Sequence, residues 1–235
     1  MKEMAVQGGG PKKAIPVLYE DNHLLVVVKP VNMPTQQDAT NDEDLLNALK
    51  ADLKRRYNKP GNVFLGLVHR LDRPVGGVMV FAKTSKAASR LSEAVRSRAF
   101  EKTYLAVAHG TPKRSDGRLV HYLVKDPREN FVSVAERSAP GAKEAVLDYE
   151  VLGEHHGLCL VRVRLLTGRP HQIRVQLAAV GCPLYGDQKY GGRHARPGRQ
   201  IALWSSHIAF PHPVTRQPVG FTAAPPDEYP WNLFG

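Results

Sequence analysis

Two short runs of this sequence bring together residue types that can do chemistry. The first is His69-Arg70-Leu71-Asp72-Arg73-Pro74-Val75-Gly76-Gly77. Alternating polar and apolar residues end a strand there, and a Pro followed by two Gly forces a tight turn. Such a turn holds the Asp72 carboxylate at a sheet end, where a rigid scaffold presents loop residues. An ordinary Asx-turn, with Asp72 bonded to backbone amides, would draw on the same residues. The second run is Thr167-Gly168-Arg169-Pro170-His171-Gln172-Ile173-Arg174. It lies in a stretch, 155–186, that holds no acidic residue but carries Arg162, Arg164, Arg169 and Arg174. Those arginines need a counter-charge from a distant carboxylate or from phosphate; a solvated basic face is the plainer alternative. Pro170 suits the first turn of a helix running to about residue 180, with Gly181 just past its end. The free amides of that N-terminus suit an anion, and His171 and Arg174, three apart, share one face. A third run, Lys102-Thr103-Tyr104, opens a strand in which β propensity alone accounts for the tyrosine.

The elements that must position these residues are legible in outline. Residues 24–28 are a short β-branched run, hence a buried strand, and Lys29-Pro30 ends it. Asn41 suits a helix N-cap, with Asp42, Glu43 and Asp44 in the first turn. Leu45, Leu46, Leu49 and Leu53 form one face of that helix, and Pro60-Gly61 stops it. Strands are expected at 63–68 and 78–82, flanking the Asp72 turn. Thr84 caps a second helix whose apolar face is Ala87, Ala88, Leu91, Ala94 and Val95, with Lys86, Arg90, Arg96 and Arg98 adding positive charge. Further strands are expected at 103–108, 118–124, 131–135, 146–152, 158–166 and 201–210. In 158–166, Arg162 and Arg164 alternate with Val161, Val163 and Leu165, the period-two pattern of a half-buried strand. Strands dominate without repeating βα units, so the expected class is α+β, one domain over 15–235 around a largely antiparallel or mixed sheet. Residues 1–14 read as a disordered lead-in.

Composition narrows the partner. Thirty-three Lys and Arg against 22 Asp and Glu give a net charge of +11 in 235 residues. A surplus of that size points to a polyanion, because each neutralised phosphate releases counterions. The two cysteines, Cys159 and Cys182, have no metal-ligand spacing and make no disulfide framework. His155-His156 is a bare pair without cysteine or carboxylate spacing. No P-loop, dinucleotide fingerprint or zinc signature is present, so no cofactor and no metal is expected. The N-terminus lacks the apolar core of a secretory signal. The longest aliphatic run, 24–28, is far short of the ~20 residues of a membrane helix. A soluble, cytoplasmic, monomeric protein is the expectation.

These segments, taken in order, resemble the RluA-type family of RNA pseudouridine synthases. The match is carried by Lys29-Pro30 after the first strand, His69-Arg70-Leu71-Asp72, the Lys102-Thr103-Tyr104 strand, and Gly168-Arg169-Pro170-His171-Gln172-Ile173-Arg174. Gly186-Asp187 with Tyr190-Gly191 and a late His212-Pro213 complete it. The order and spacing of all six agree over residues 19–213. Three of the elements depart from the pattern. Val75-Gly76-Gly77 replaces Thr-Ser-Gly, Pro170 stands where Thr is common, and Asn32 stands where the family carries Gly. Asn is the next-best tenant of a left-handed conformation, and glycine at position 76 keeps the turn possible.

The resemblance implies isomerisation of uridine to pseudouridine in structured RNA, ribosomal RNA first and transfer RNA second. It implies Asp72 as the essential carboxylate, attacking the ribose directly or assisting glycal formation. Arg174 is its implied ion partner, and Tyr104 an aromatic floor for the flipped uracil. Arg70, His69, Lys29, Arg169 and His171 are the implied RNA contacts. Many relatives carry an N-terminal RNA-binding module; with only a short stretch before the first strand, the expectation here is a stand-alone catalytic domain. A catalytically silent RNA-binding or ribosome-assembly protein would share the charge but has no use for a carboxylate facing a polyanion. A hydrolase built on Asp72 and a histidine would need a motif such as a nucleophile elbow, which is not found.

Overall fold

Period-two burial sets the centre of the molecule. The computed structural model describes residues 14–235; the lead-in expected over 1–14 lies, Ala14 apart, outside the described residues. In chain order these form β1 (Val17–Glu20), β2 (Leu24–Lys29), α1 (Leu45–Arg56), β3 (Gly66–Leu67), β4 (Gly76–Ala82), α2 (Ser85–Arg96), β5 (Glu101–His109), β6 (Asp116–Asp126), β7 (Phe131–Ala135), β8 (Lys143–His155), β9 (Leu158–Leu165), α3 (Gln172–Ala179), β10 (Leu203–Pro211) and β11 (Pro218–Thr222). The aliphatic run of β2 is buried on both faces of the sheet. Leu25 and Val27 join Leu45, Leu49 and Leu53 of α1 and Ile173 and Leu177 of α3 in one core. Leu24 and Val26 join Ala87, Leu91 and Ala94 of α2 in a second core on the opposite face. A strand buried on both sides reads as a continuous apolar run rather than an alternating one.

The strands make one mixed sheet in the order β1-β2-β4-β10-β5-β9-β8-β6-β7, with β3 beside β4 and β11 beside β10. Every pairing is antiparallel except β4 with β10, where Trp204 lies opposite Gly76 and Ser205 opposite Gly77. This matches the expected α+β class and mixed sheet. The parallel contact also explains the glycine pair. Gly77 has φ +117, and a Cβ there would sit 2.2 Å from the Ser205 carbonyl oxygen, so only glycine lets the two strands meet. The tight turn itself lies one step earlier, closed by the Val75 N–H donating to the Asp72 carbonyl at 2.9 Å.

The structure moves several expected boundaries. Asp44, not Asn41, caps α1, its carboxylate accepting the Asn47 N–H at 3.0 Å. Asn41 instead sits in the left-handed region at φ 57. The helix starts where Leu45 first meets the core, which leaves Asp42 and Glu43 in the preceding loop rather than in its first turn. The strand expected at 63–68 shrinks to β3, and the helix expected from Pro170 begins at Gln172, because His171 adopts φ 51. The edge strands β1 and β11, which alternate weakly and stay half exposed, were not anticipated. Thr84 caps α2 as expected, accepting the Ala87 N–H at 3.1 Å. Asn32 takes the left-handed conformation expected of it, with φ 61.

Candidate active site

Asp72 lies in the loop that enters β4, at the floor of a cleft of about 1530 Å³. Its side chain keeps 31% of its surface exposed, whereas the groups behind it are buried. Three anchors fix that loop. The Lys29 amine donates to the carbonyls of Pro30 at 2.9 Å and Arg73 at 3.0 Å. The Thr35 hydroxyl donates to the Leu71 carbonyl at 2.9 Å. On the solvent side, Asp38, Thr40 and Asp42 hold the Arg73 guanidinium.

Arg174 reaches Asp72 from α3, a helix whose sides are almost all buried. Its Nη1 lies 3.3 Å from Asp72 Oδ2. Its stronger partner is Asp187, which accepts Nε and Nη2 at 2.8 Å each in a planar fork. Asp187 also accepts the N–H groups of Lys189 at 2.9 Å and Tyr190 at 3.0 Å. Burial alone would push the Asp187 carboxyl up, but the guanidinium and the two amides outweigh it and hold its pKa below the ordinary value. The expected Asp72–Arg174 contact is present, and Asp187 extends it to a relay in which it neutralises and aims Arg174, leaving one N–H face of the fork for Asp72. His171 Nε2 lies 3.8 Å from the same Asp72 oxygen. Its Nδ1 meets the Tyr190 hydroxyl at 2.7 Å, and that hydroxyl accepts the Val132 N–H at 2.9 Å. The proton on Nε2 is the tautomer that satisfies this network. Burial lowers the pKa of His171, with Asp72 opposing and Arg174 adding to the shift.

Tyr104, on β5 between Val163 of β9 and Ser205 of β10, is buried and lines the cleft. Its hydroxyl is pushed above the ordinary tyrosine value by burial and then by the nearby Asp72 charge, with Ser205 opposing.

The implied RNA contacts separate into two groups. Arg70 is exposed at the cleft rim, and Arg169 lines it with its guanidinium donating to the Glu144 carbonyl at 2.8 Å and to no carboxylate among the described residues. Lys29, by contrast, is fully buried and cannot reach a phosphate; burial lowers its pKa to about 7, with Asp72 opposing. A neutral amine has two N–H donors, matching the two carbonyls it meets. His171 faces the carboxylate rather than open solvent. His69 turns into the protein, where Nε2 accepts the Val80 N–H at 3.1 Å. Burial and then the Lys102 charge lower its pKa to about 3, so its contact positions the Asp72 loop. Arg162 and Arg164 point outward as expected but are neutralised by Glu150 at 2.7 Å and Asp148 at 2.8 Å on β8. Arg96 pairs with Glu93, and Arg90 donates to the Pro213 carbonyl. The acid-free stretch thus finds carboxylates across the sheet, a pairing no local spacing reveals. Two groups in the cleft received no role from the sequence. Asp187 was legible only as part of a motif, and Lys102, whose pKa burial lowers, has no hydrogen-bond partner for its amine among the described residues.

A carboxylate aimed by a buried guanidinium, in a cleft that Arg70 and Arg169 also line, marks an enzyme that acts on nucleic acid. The model of one family, RNA pseudouridylate synthase, matches residues 23–179, and the chain belongs to that family. It is 34% identical over 214 residues to an uncharacterized RNA pseudouridine synthase of Bacillus subtilis, YjbO, covering 90% of this chain and 73% of that one. It is also 34% identical over 226 residues to ribosomal large subunit pseudouridine synthase D of Xanthomonas campestris, covering 90% of this chain and 66% of that one. The chain thus spans between 65% and 73% of the length of the first relatives it matches. In fold it is similar to human RNA pseudouridylate synthase domain containing 4, with a TM-score of 0.75 at 23% identity over 90% of this chain and 88% of that one. Among the described residues no helix is long and apolar enough to cross a membrane.

Proposed function

We propose that this protein isomerises uridine to pseudouridine in large-subunit ribosomal RNA, with Asp72 as the catalytic residue. The observation that carries the reading is the Asp187–Arg174–Asp72 relay at the floor of the cleft, with the Asp72 carboxylate reaching open space. The reaction breaks the bond from ribose to uracil nitrogen, turns the base and joins the ribose to uracil carbon-5, whose hydrogen leaves as a proton. Asp72 acts on the ribose by direct attack or by removing a proton toward a glycal. Tyr104 supplies an aromatic floor for the flipped base; stacking of this kind contributes about 1–3 kcal/mol. Arg174 orients Asp72, and Arg70 and Arg169 at the rim bind backbone phosphate. The ribosomal target rests on the names of relatives such as the Xanthomonas campestris enzyme. Tritium release from ribosomal RNA labelled at uracil carbon-5 tests the reading. The wild type should release tritium, and Asp72→Asn, which removes charge but little volume, should release none while still binding the RNA. Turnover by the Asn variant within about tenfold of wild type would remove Asp72 from the catalytic role.

A further inference from the structure

The arginines of this chain sort by what neutralises them. Arg56, Arg73, Arg118, Arg162 and Arg164 are each held by a carboxylate. The loop after the Asp187 turn is different. Residues 188–226 contain no acidic residue, and Arg193, Arg196 and Arg199 are all exposed there. Among the described residues their bonds go to groups other than carboxylates: Arg193 Nε to His194 Nε2 at 3.2 Å, Arg196 Nη1 to the carbonyls of Arg193 and Ala195 at 2.9 Å each, and Arg199 to the Tyr185 hydroxyl.

The loop is nevertheless built. His194 stacks on His109 with ring centroids 4.2 Å apart, and the Arg199 guanidinium lies over the Tyr185 ring at 5.5 Å. The His194 N–H donates to the Gly191 carbonyl at 2.9 Å, closing a 3-10 turn, and Gln188 donates to the Arg196 carbonyl. Gly191 must be glycine, since a Cβ would meet the Asp187 carbonyl oxygen at 2.2 Å. The cations are therefore presented on a fixed frame, so less side-chain and loop entropy is lost when a ligand is bound. Their field is felt nearby: burial first, and then the charges of His194, Arg196 and Arg199, lower the pKa of His109.

Two placements identify the occupant. Gly198, Arg199 and Gln200 line the catalytic cleft, so the arginines continue outward from it. The loop also springs from the turn whose Asp187 side chain holds Arg174. We propose that residues 192–199 are a second RNA contact, in which Arg193, Arg196 and Arg199 bind backbone phosphates of the substrate beyond the flipped nucleotide. This rests on RNA being the substrate; it adds where the flanking strand runs. Arginine suits the task because its planar fork matches phosphate oxygens and its charge does not titrate.

The test measures binding without turnover, and so stands apart from the tritium assay. A fluorescein-labelled 20-base-pair RNA duplex is titrated with wild type, Arg193→Gln/Arg196→Gln and Arg118→Gln/Arg162→Gln across about 50 to 200 mM salt. The loop double variant should flatten the slope of log Kd against log salt by about 1.8, two contacts at about 0.9 each. The control pair removes the same formal charge from residues that carboxylates already neutralise, and should move the slope by less than half as much. An unchanged slope in the loop variant overturns the proposal. So does an equal drop in both variants, which would report net charge rather than a site. A drop in the loop variant alone, with Asp72→Asn inactive or active, supports it independently of the catalytic assignment.

Discussion

Asp187→Asn isolates the relay behind the candidate catalytic carboxylate. Asp187 accepts four hydrogen bonds: Nε of Arg174 on Oδ2, and Nη2 of Arg174 with the amides of Lys189 and Tyr190 on Oδ1. An asparagine with its oxygen at the Oδ1 position keeps three of them and sets its NH2 against the Arg174 Nε–H. One charge-assisted bond becomes a donor–donor contact, a loss of about 1.5–3 kcal/mol. The guanidinium, 8% exposed, also loses its fully buried counter-ion, which moves the cost toward the about 3–5 kcal/mol of a broken buried pair. A destabilisation on the order of 3 kcal/mol is expected, a large share of the ~5–15 kcal/mol of a whole domain. Arg174 is then left with Asp72 as its carboxylate and should close the 3.3 Å contact, tying up the carboxylate that acts on the ribose. The single-turnover rate should therefore fall by more than tenfold even where the variant is folded. Urea denaturation and single-turnover tritium release at one temperature check both parts. Because Asp187 has a depressed pKa in the fold, its contribution is present above the unfolded value near ~3.9 and is lost as pH falls through the lower folded value. The stability gap between wild type and variant should therefore narrow below about pH 4. An Asn variant with unchanged midpoint and unchanged rate would refute the relay.

Three further outcomes follow from named contacts. Lys29 has its folded pKa lowered to about 7 against ~10.4 in the unfolded chain, so the unfolded state binds more protons between those values and stability should rise with pH through that window. The gain from pH 7 to 9 is on the order of 2 kcal/mol, and Lys29→Met should abolish that slope in urea titrations. Gly77→Ala requires φ +117 and places a Cβ 2.2 Å from the Ser205 carbonyl oxygen. It should cost on the order of 4 kcal/mol, read as a lowered Tm and loss of soluble protein, and a variant as stable as wild type would contradict the β4–β10 contact. Arg169, with a backbone carbonyl as its partner, should lose about 0.9 of salt slope on Arg169→Ala while the rate at saturating RNA holds; a rate loss without a binding loss would place it in the chemistry instead.

Local pattern determined a good deal of this molecule. Strand 131–135 and the Thr84 cap were legible because a β-branched run bounded by turns and a side-chain oxygen before a helix act within a few residues. Outward Arg162 and Arg164 followed from the period of two, and left-handed Asn32 from its tolerance of positive φ. The resemblance marked Asp72, Tyr104 and Arg174, and the fold brings Asp72 and Arg174 together across 102 residues of chain. What the sequence left open was the fate of each charge. Whether Lys29 meets phosphate or two carbonyls, and whether Arg162 and Arg164 are free or neutralised from β8, depends on which strands become neighbours. Asp187 as the partner that aims Arg174 depends on a turn docking beneath α3. Those are long-range pairings, and a side chain's spacing along the chain carries no record of the field it will meet. Only the assembled sheet, with β4 and β10 joined at Gly77, decided them.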